Sequence, residues 1–162
     1  MNTLSTIQFK RPVWQTIAML TVGFWLSASV FLDWVIMPSL YFSGMMSQDS
    51  FSTVGYVIFW NFNRIELLAA GLVLTSVLAL CRTQHNSSRV GIALAVVLLG
   101  IALVETYLLT PQMSAIGLNL NLFEEVTQVP ADMNLLHSFY WVLEAIKLVA
   151  GGTLLSQCFR LD

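Results

Sequence analysis

Residues 90–110 read VGIALAVVLLGIALVETYLLT, and Pro111 follows them. About 20 predominantly apolar residues in a helix cross the 30 Å hydrocarbon core of a bilayer. This stretch is therefore a membrane span, and it carries one acid, Glu105, inside it. Three further runs have the same character, at 14–37, about 54–81 and about 133–157. Pro12 stands where the first helical turn tolerates proline, and Pro38 marks the end of the first run. Asp49, Ser50 and Ser52 are candidate caps for the second run, and Asp132, after Pro130, for the fourth. The expected fold is all-α: an integral membrane, antiparallel four-helix bundle forming a single domain over 1–162. Its helices are expected at about 13–37, 52–82, 89–110 and 132–157.

Composition points the same way. The 162 residues are 57% hydrophobic and 10% charged, with a mean hydropathy of +0.76. A soluble domain is about a quarter charged. A net charge of −2 without a basic stripe excludes nucleic acid as a partner. Cys81 and Cys158 make no disulfide framework and read as bystanders near the ends of apolar runs. No P-loop, GxSxG, dinucleotide fingerprint or zinc-ligand spacing is present, so no enzymatic motif is recognised. Pairs such as Gly23/Ser27, Gly91/Ala95 and Gly151/Gly152 are read as close-packing positions. No internal repeat is evident.

The connections set an expected orientation. Residues 82–89 form a short polar turn, so the second and third helices should make an antiparallel hairpin. Lys10, Arg11, Arg82, Arg89 and Arg160 flank the runs on one side. The other two connections hold no Lys or Arg, only Asp49, Glu124, Glu125 and Asp132. The positive-inside rule then puts both termini and the middle loop in the cytosol, or in the stroma of a photosynthetic membrane. His85 and the sequon Asn86-Ser-Ser fall in that middle loop, the wrong side for glycosylation. The segment 116–123 is too short to span and is expected at the interface or over the bundle mouth. Ser27-Ala28-Ser29 resembles a signal-peptide cleavage site, but the apolar run continues to Met37, so an uncleaved first helix is expected.

Charges inside the runs are what call for explanation. Asp33, Arg64, Glu66, Glu105, Glu144 and Lys147 lie within them, together with His137. A charged residue at mid-helix costs roughly 2.5–3.5 kcal/mol on insertion scales, so pairing or inward placement is expected. With that orientation these groups from all four helices collect in the outer half of the bundle. Asp33, Glu105 and His137 lie about one turn from the outer helix ends, Arg64 and Glu66 in the outer part of the second helix, Glu144 approaches the midplane and Lys147 is deepest. His137, Tyr140, Trp141, Glu144 and Lys147 follow i, i+3, i+4, i+7 spacing and form one stripe, in which Glu144 and Lys147 can pair. On the second helix Asn61 and Arg64 share one face, whereas Asn63 and Glu66 share another. Arg64, with its bidentate fork, is the expected counter-ion for Asp33, Glu105 or Glu144. Four acids against Arg64 and Lys147 leave excess negative charge unless a carboxyl is protonated or His137 is charged.

Three uses of such a layer compete. It can fix helix register as an ion-pair network, which makes the protein a scaffold or accessory factor, or a holder of a hydrophobic ligand. It can carry protons or ions. It can bind a metal through His137, Glu105 and Glu144, although no HxxxH or ExxH pair is present, and a lone membrane histidine excludes bis-histidine haem within one chain. Partners are expected to be the bilayer itself and other membrane proteins or further copies of this chain. An open polar cavity favours transport or binding; a filled, mutually bonded layer favours the scaffold.

Several short motifs are familiar together. Phe24-Trp25 through Pro38-Ser-Leu-Tyr41 resembles the first helix and exit of a small four-span family, domain of unknown function 4149, related to the transmembrane protein 205-like proteins. Tyr107-Leu-Leu-Thr-Pro111 and Leu136-His137-Ser138 resemble its third-helix exit and fourth-helix histidine. Asn63-Arg-Ile-Glu66 and the stretch from Leu136 to Glu144 resemble the cyanobacterial and chloroplast version. The eukaryotic relatives read His, Ser, Asn at four-residue steps in the last helix, whereas this chain has Trp141 and Ala145 at the later two. The resemblance implies a four-helix membrane bundle and assigns no reaction.

Overall fold

A computed structural model describes residues 13–45, 51–83, 89–123 and 131–160. Lys10, Arg11, Pro12, Asp49, Ser50, His85, the Asn86 sequon, Glu124, Glu125 and Pro130 lie outside the described residues. The described chain is helical: α1 Val13–Phe31, α2 Met37–Phe42, α3 Phe51–Thr83, α4 Arg89–Val104, α5 Thr110–Phe123 and α6 Ala131–Arg160. Two π-helical turns, Leu32–Ile36 and Glu105–Leu109, join α1 to α2 and α4 to α5 without a break. The result is four rods. Each is long and apolar enough to cross a membrane: Val13–Phe42, Thr53–Arg82, Arg89–Gly117 and Asp132–Phe159.

The rods form a ring in chain order, α1 against α3, α3 against α4, α4 against α6 and α6 back against α1. Side-chain links fix their antiparallel sense. Gln15, at the start of the first rod, donates to the Cys158 carbonyl at the end of the fourth, at 2.6 Å. Asn63, early in α3, reaches Thr110 at the far end of the third rod. The apolar core is built largely from small and β-branched side chains, with Ala69, Ala70, Ala95, Ala102 and Ala150 beside Val22, Val73, Val77, Leu98 and Leu154. Small residues let backbones approach, which drives helix association where lipid removes the hydrophobic term. Gly151 shows this most clearly, because a Cβ there would stand 2.7 Å from Leu26 of the first rod. Burial is inside-out relative to a soluble bundle. Leu68 leaves 75% of its surface open, whereas Lys147 leaves none.

Two expectations about the ends are corrected. Pro38 and Pro111 do not stop their helices; the first rod runs on to Phe42 and the third to Phe123. A proline inside an α-helix lacks its N–H and clashes with the carbonyl four residues back. Here each proline follows a widened π-turn that relieves this clash. Met37 N–H bonds to the Leu32 carbonyl, and Thr110 N–H to the Glu105 carbonyl, each immediately before its proline. Segment 116–123 is therefore part of a continuous rod and not a separate interfacial piece. The first rod ends where Gly44 takes φ +71°, a left-handed conformation that costs glycine nothing.

Candidate functional site: a carboxylate–lysine centre

Glu66, Glu105, Glu144 and Lys147 lie near the middle of their spans. For Glu105, expected little more than one turn from the outer end of its helix, the difference arises because the third rod continues past Pro111. Lys147 is the hub. Its Nζ lies 2.6 Å from Glu66 Oε1 and 3.3 Å from Glu105 Oε2, and it also contacts Glu144 Oε1 one turn earlier on α6. All four side chains are buried. An ammonium has three N–H groups directed away from its carbon, and each here meets an acid from a different rod or turn.

Glu66 is the best-held acid. Besides Lys147, its Oε1 accepts from Trp25 Nε1 at 2.7 Å and from Ser29 Oγ at 2.9 Å. Trp25, Ser29 and Asp33 sit four residues apart on one face of the first rod, the i, i+4 repeat that lines up side chains along a helix. Asp33, also buried, accepts from Tyr140 OH at 2.9 Å. The third rod is clamped from α3. Asn63 Nδ2 donates to the Glu105 carbonyl at 3.3 Å and to Thr110 Oγ1 at 2.6 Å, which spans the π-turn that carries Glu105. Thr106 Oγ1 in turn donates to the Asn63 carbonyl at 3.4 Å. π-Turns within α-helices recur at functional sites, and here each of the two carries one of the buried acids.

Charge and bonding are unbalanced. Three glutamates surround one ammonium, and oxygens of Glu66, Glu105 and Glu144 lie within 4.8 Å of one another. Glu105 Oε1 and Glu144 Oε2 are buried with no hydrogen-bond partner. An unpartnered buried polar atom costs roughly 1–3 kcal/mol, more when charged. The centre therefore has acceptor capacity to spare for a proton or a cation.

Of the residues singled out from sequence, Asp33, Asn63, Glu66, Glu105, Tyr140, Glu144 and Lys147 are brought together. Arg64, Asn61 and His137 are not, and Trp141 reaches only the rim of a small cavity lined by Asp33 and Glu144. Arg64 is exposed and stacks over the Trp60 ring, 3.5 Å from its centroid, so the expected counter-ion role falls to Lys147. Asn61 is exposed and donates to the Val57 carbonyl of its own helix at 2.8 Å. His137 is exposed, with Nδ1 donating to the Met133 carbonyl at 3.0 Å, so it stands apart from the acids with which it was grouped as a metal ligand. Trp141 is 47% exposed and packs edge-on to Trp34. Both faces of α3 could not point inward, since Arg64 and Glu66 are about 200° apart around a helix; the Asn63/Glu66 face does so.

Trp25, Ser29 and Gln15 were not read as functional. Their signal was available: Gln15, Ala18, Val22, Trp25 and Ser29 follow the three-and-four spacing of a single buried stripe. Because Arg64 touches no acid among the described residues, Arg64→Leu is expected to change stability by no more than about 1 kcal/mol, the scale of an exposed cation–π contact. Chemical or thermal unfolding in detergent checks this, and a loss of several kcal/mol would put Arg64 inside the network. Comparison with protein-family models, curated proteins and solved structures returns no match for this chain.

Proposed function

We propose that this chain is a multi-pass membrane protein that takes up and releases a proton or a small cation at the Glu66–Glu105–Glu144–Lys147 centre, alone or as a subunit of a larger assembly. The observation that carries the reading is the mismatch of three buried glutamates against a single ammonium, with two carboxyl oxygens left without any donor. Intramembrane acids at mid-span are costly, and proton relays and ion pathways are where they are used. The distribution of Lys and Arg supports both termini facing the cytosol or stroma. The exposed apolar faces suit lipid, and further copies of the chain or other membrane proteins are the expected neighbours.

The scaffold reading has one specific observation in its favour: every rod contributes a side chain to one bonded cluster, as a register lock would. Flux separates the two. In vesicles holding a pH dye, with a potassium diffusion potential imposed through an ionophore, the wild-type protein is expected to raise the rate of internal acidification. Glu144→Gln, which keeps size and loses the exchangeable proton, should return the rate to that of protein-free vesicles. Wild-type flux equal to protein-free vesicles, for protons and for alkali cations alike, would overturn the exchange reading in favour of the scaffold.

A further inference from the structure

A small cavity of about 70 Å³ opens between the first and fourth rods. Asp33 and Glu144 line it, and Trp34 and Trp141 flank it, their rings edge to face with centroids 6.4 Å apart. Both indoles are exposed, at 66% and 47%, on the outside of the bundle. At the inner end Asp33 and Glu144 are the two acids that line this one small cavity. Glu144 gives Oε1 to Lys147, and its Oε2 is buried without a donor. Asp33 receives Tyr140 OH and, among the described residues, no ammonium or guanidinium within ion-pair distance. Two ionised carboxylates cannot bond to each other, since each only accepts. A proton placed between them supplies the missing donor and removes one negative charge.

We infer that Asp33 and Glu144 share one proton, directly or through water held in the crevice between the first and fourth rods. The inference rests on the exchange reading above and names the proton as the species. The crevice is polar at its inner end, and its volume holds about two waters at roughly 30 Å³ each. In the exchange step the carboxyl O–H bond breaks and the proton passes to crevice water as hydronium. The pair is left doubly negative beside Lys147 and Tyr140, and the reverse step restores it. Every element packed around the pair adds a charged or titratable group: Glu66 from α3, Glu105 from the second π-turn, and Tyr140 and Lys147 from α6. Lys147 is the only cation among these, so losing the shared proton adds negative charge where it already exceeds positive charge.

Infrared spectroscopy of the purified protein in detergent tests this without any transport assay. The expected result is a carbonyl stretch of a protonated carboxyl group at neutral pH that moves on transfer to D₂O. That same band should be lost in Asp33→Asn and also in Glu144→Gln, because either amide can donate to the remaining carboxylate and take the proton's place. It should persist in Asn61→Ala, at an exposed position away from the centre, which also serves as the folding control. If the two variants remove different bands, or neither removes one, the shared proton is refuted. Flux without the shared band sinks the pair alone, whereas the band without flux sinks the exchange reading alone.

Discussion

Replacing Lys147 with methionine is expected to destabilise the folded bundle by about 3–5 kcal/mol, the scale seen when one partner of a buried charge network is removed and the others are left uncompensated. The methionine side chain fills nearly the same space, so packing loss is a minor part of this. What remains is Glu66, Glu105 and Glu144 facing one another, with oxygens within 4.8 Å and no cation among them. Glu66 keeps its bonds from Trp25 and Ser29, whereas Glu105 and Glu144 lose the only side-chain donor they have among the described residues. Denaturant unfolding in detergent at neutral pH checks the loss. Acidification should then recover part of it, because protonating the glutamates removes the repulsion that the ammonium had offset. A variant as stable as the parent at neutral pH would mean that Lys147 is not the hub.

A second variant separates stability from function. Glu66→Gln, Glu105→Met, Glu144→Met and Lys147→Met together remove the charges and keep the volume, while the amide introduced in place of Glu66 retains an oxygen for Trp25 and Ser29. Buried ion networks replaced whole by apolar side chains are often neutral or stabilising, because desolvation of the charges disappears along with their attraction. The fourfold variant should therefore unfold within about 1 kcal/mol of the parent or later, far above Lys147→Met alone. It should also conduct nothing in the vesicle assay. This result would mean the centre is kept for exchange at a cost in stability. A fourfold variant that fails to assemble would point to the register-lock role.

Much of this architecture is legible in the chain, and what is not has physical reasons. Apolar length reads directly, because a bilayer demands about 20 residues of it. Proline reads as a stop only if the helix has no way around it. The π-turns at Leu32–Ile36 and Glu105–Leu109 are such a way, and the second is stabilised by Asn63 from another rod, a contact no local pattern encodes. Helical spacing on α6 places Glu144 and Lys147 together, and they do meet. It also groups His137 and Trp141 with them, yet the stripe is buried only at Glu144 and Lys147 and is exposed at His137 and Trp141. On α3 the periodicity defines two polar faces and cannot choose between them. Tertiary packing chooses Asn63 and Glu66, and Arg64 is left to spread its guanidinium over Trp60 near the surface, as long basic side chains do. Trp25 carries no functional signal of its own in the sequence because a tryptophan in a membrane run reads as apolar filling; its N–H becomes meaningful only beside Glu66.

Lys10 and Lys147 are the only lysines in the chain, which makes one spectroscopic experiment unusually clean. Protein carrying ¹⁵Nζ-lysine and ¹³Cδ-glutamate, with Lys10→Arg to leave a single ammonium signal, can be studied by solid-state dipolar recoupling in lipid bilayers. Strong dephasing of Lys147 by carboxyl carbons is expected, weakening in steps as Glu66, Glu105 and Glu144 are changed one at a time to glutamine. A Lys147 signal with no nearby carboxyl carbon, or one unmoved by all three changes, would contradict the convergence on which the account depends.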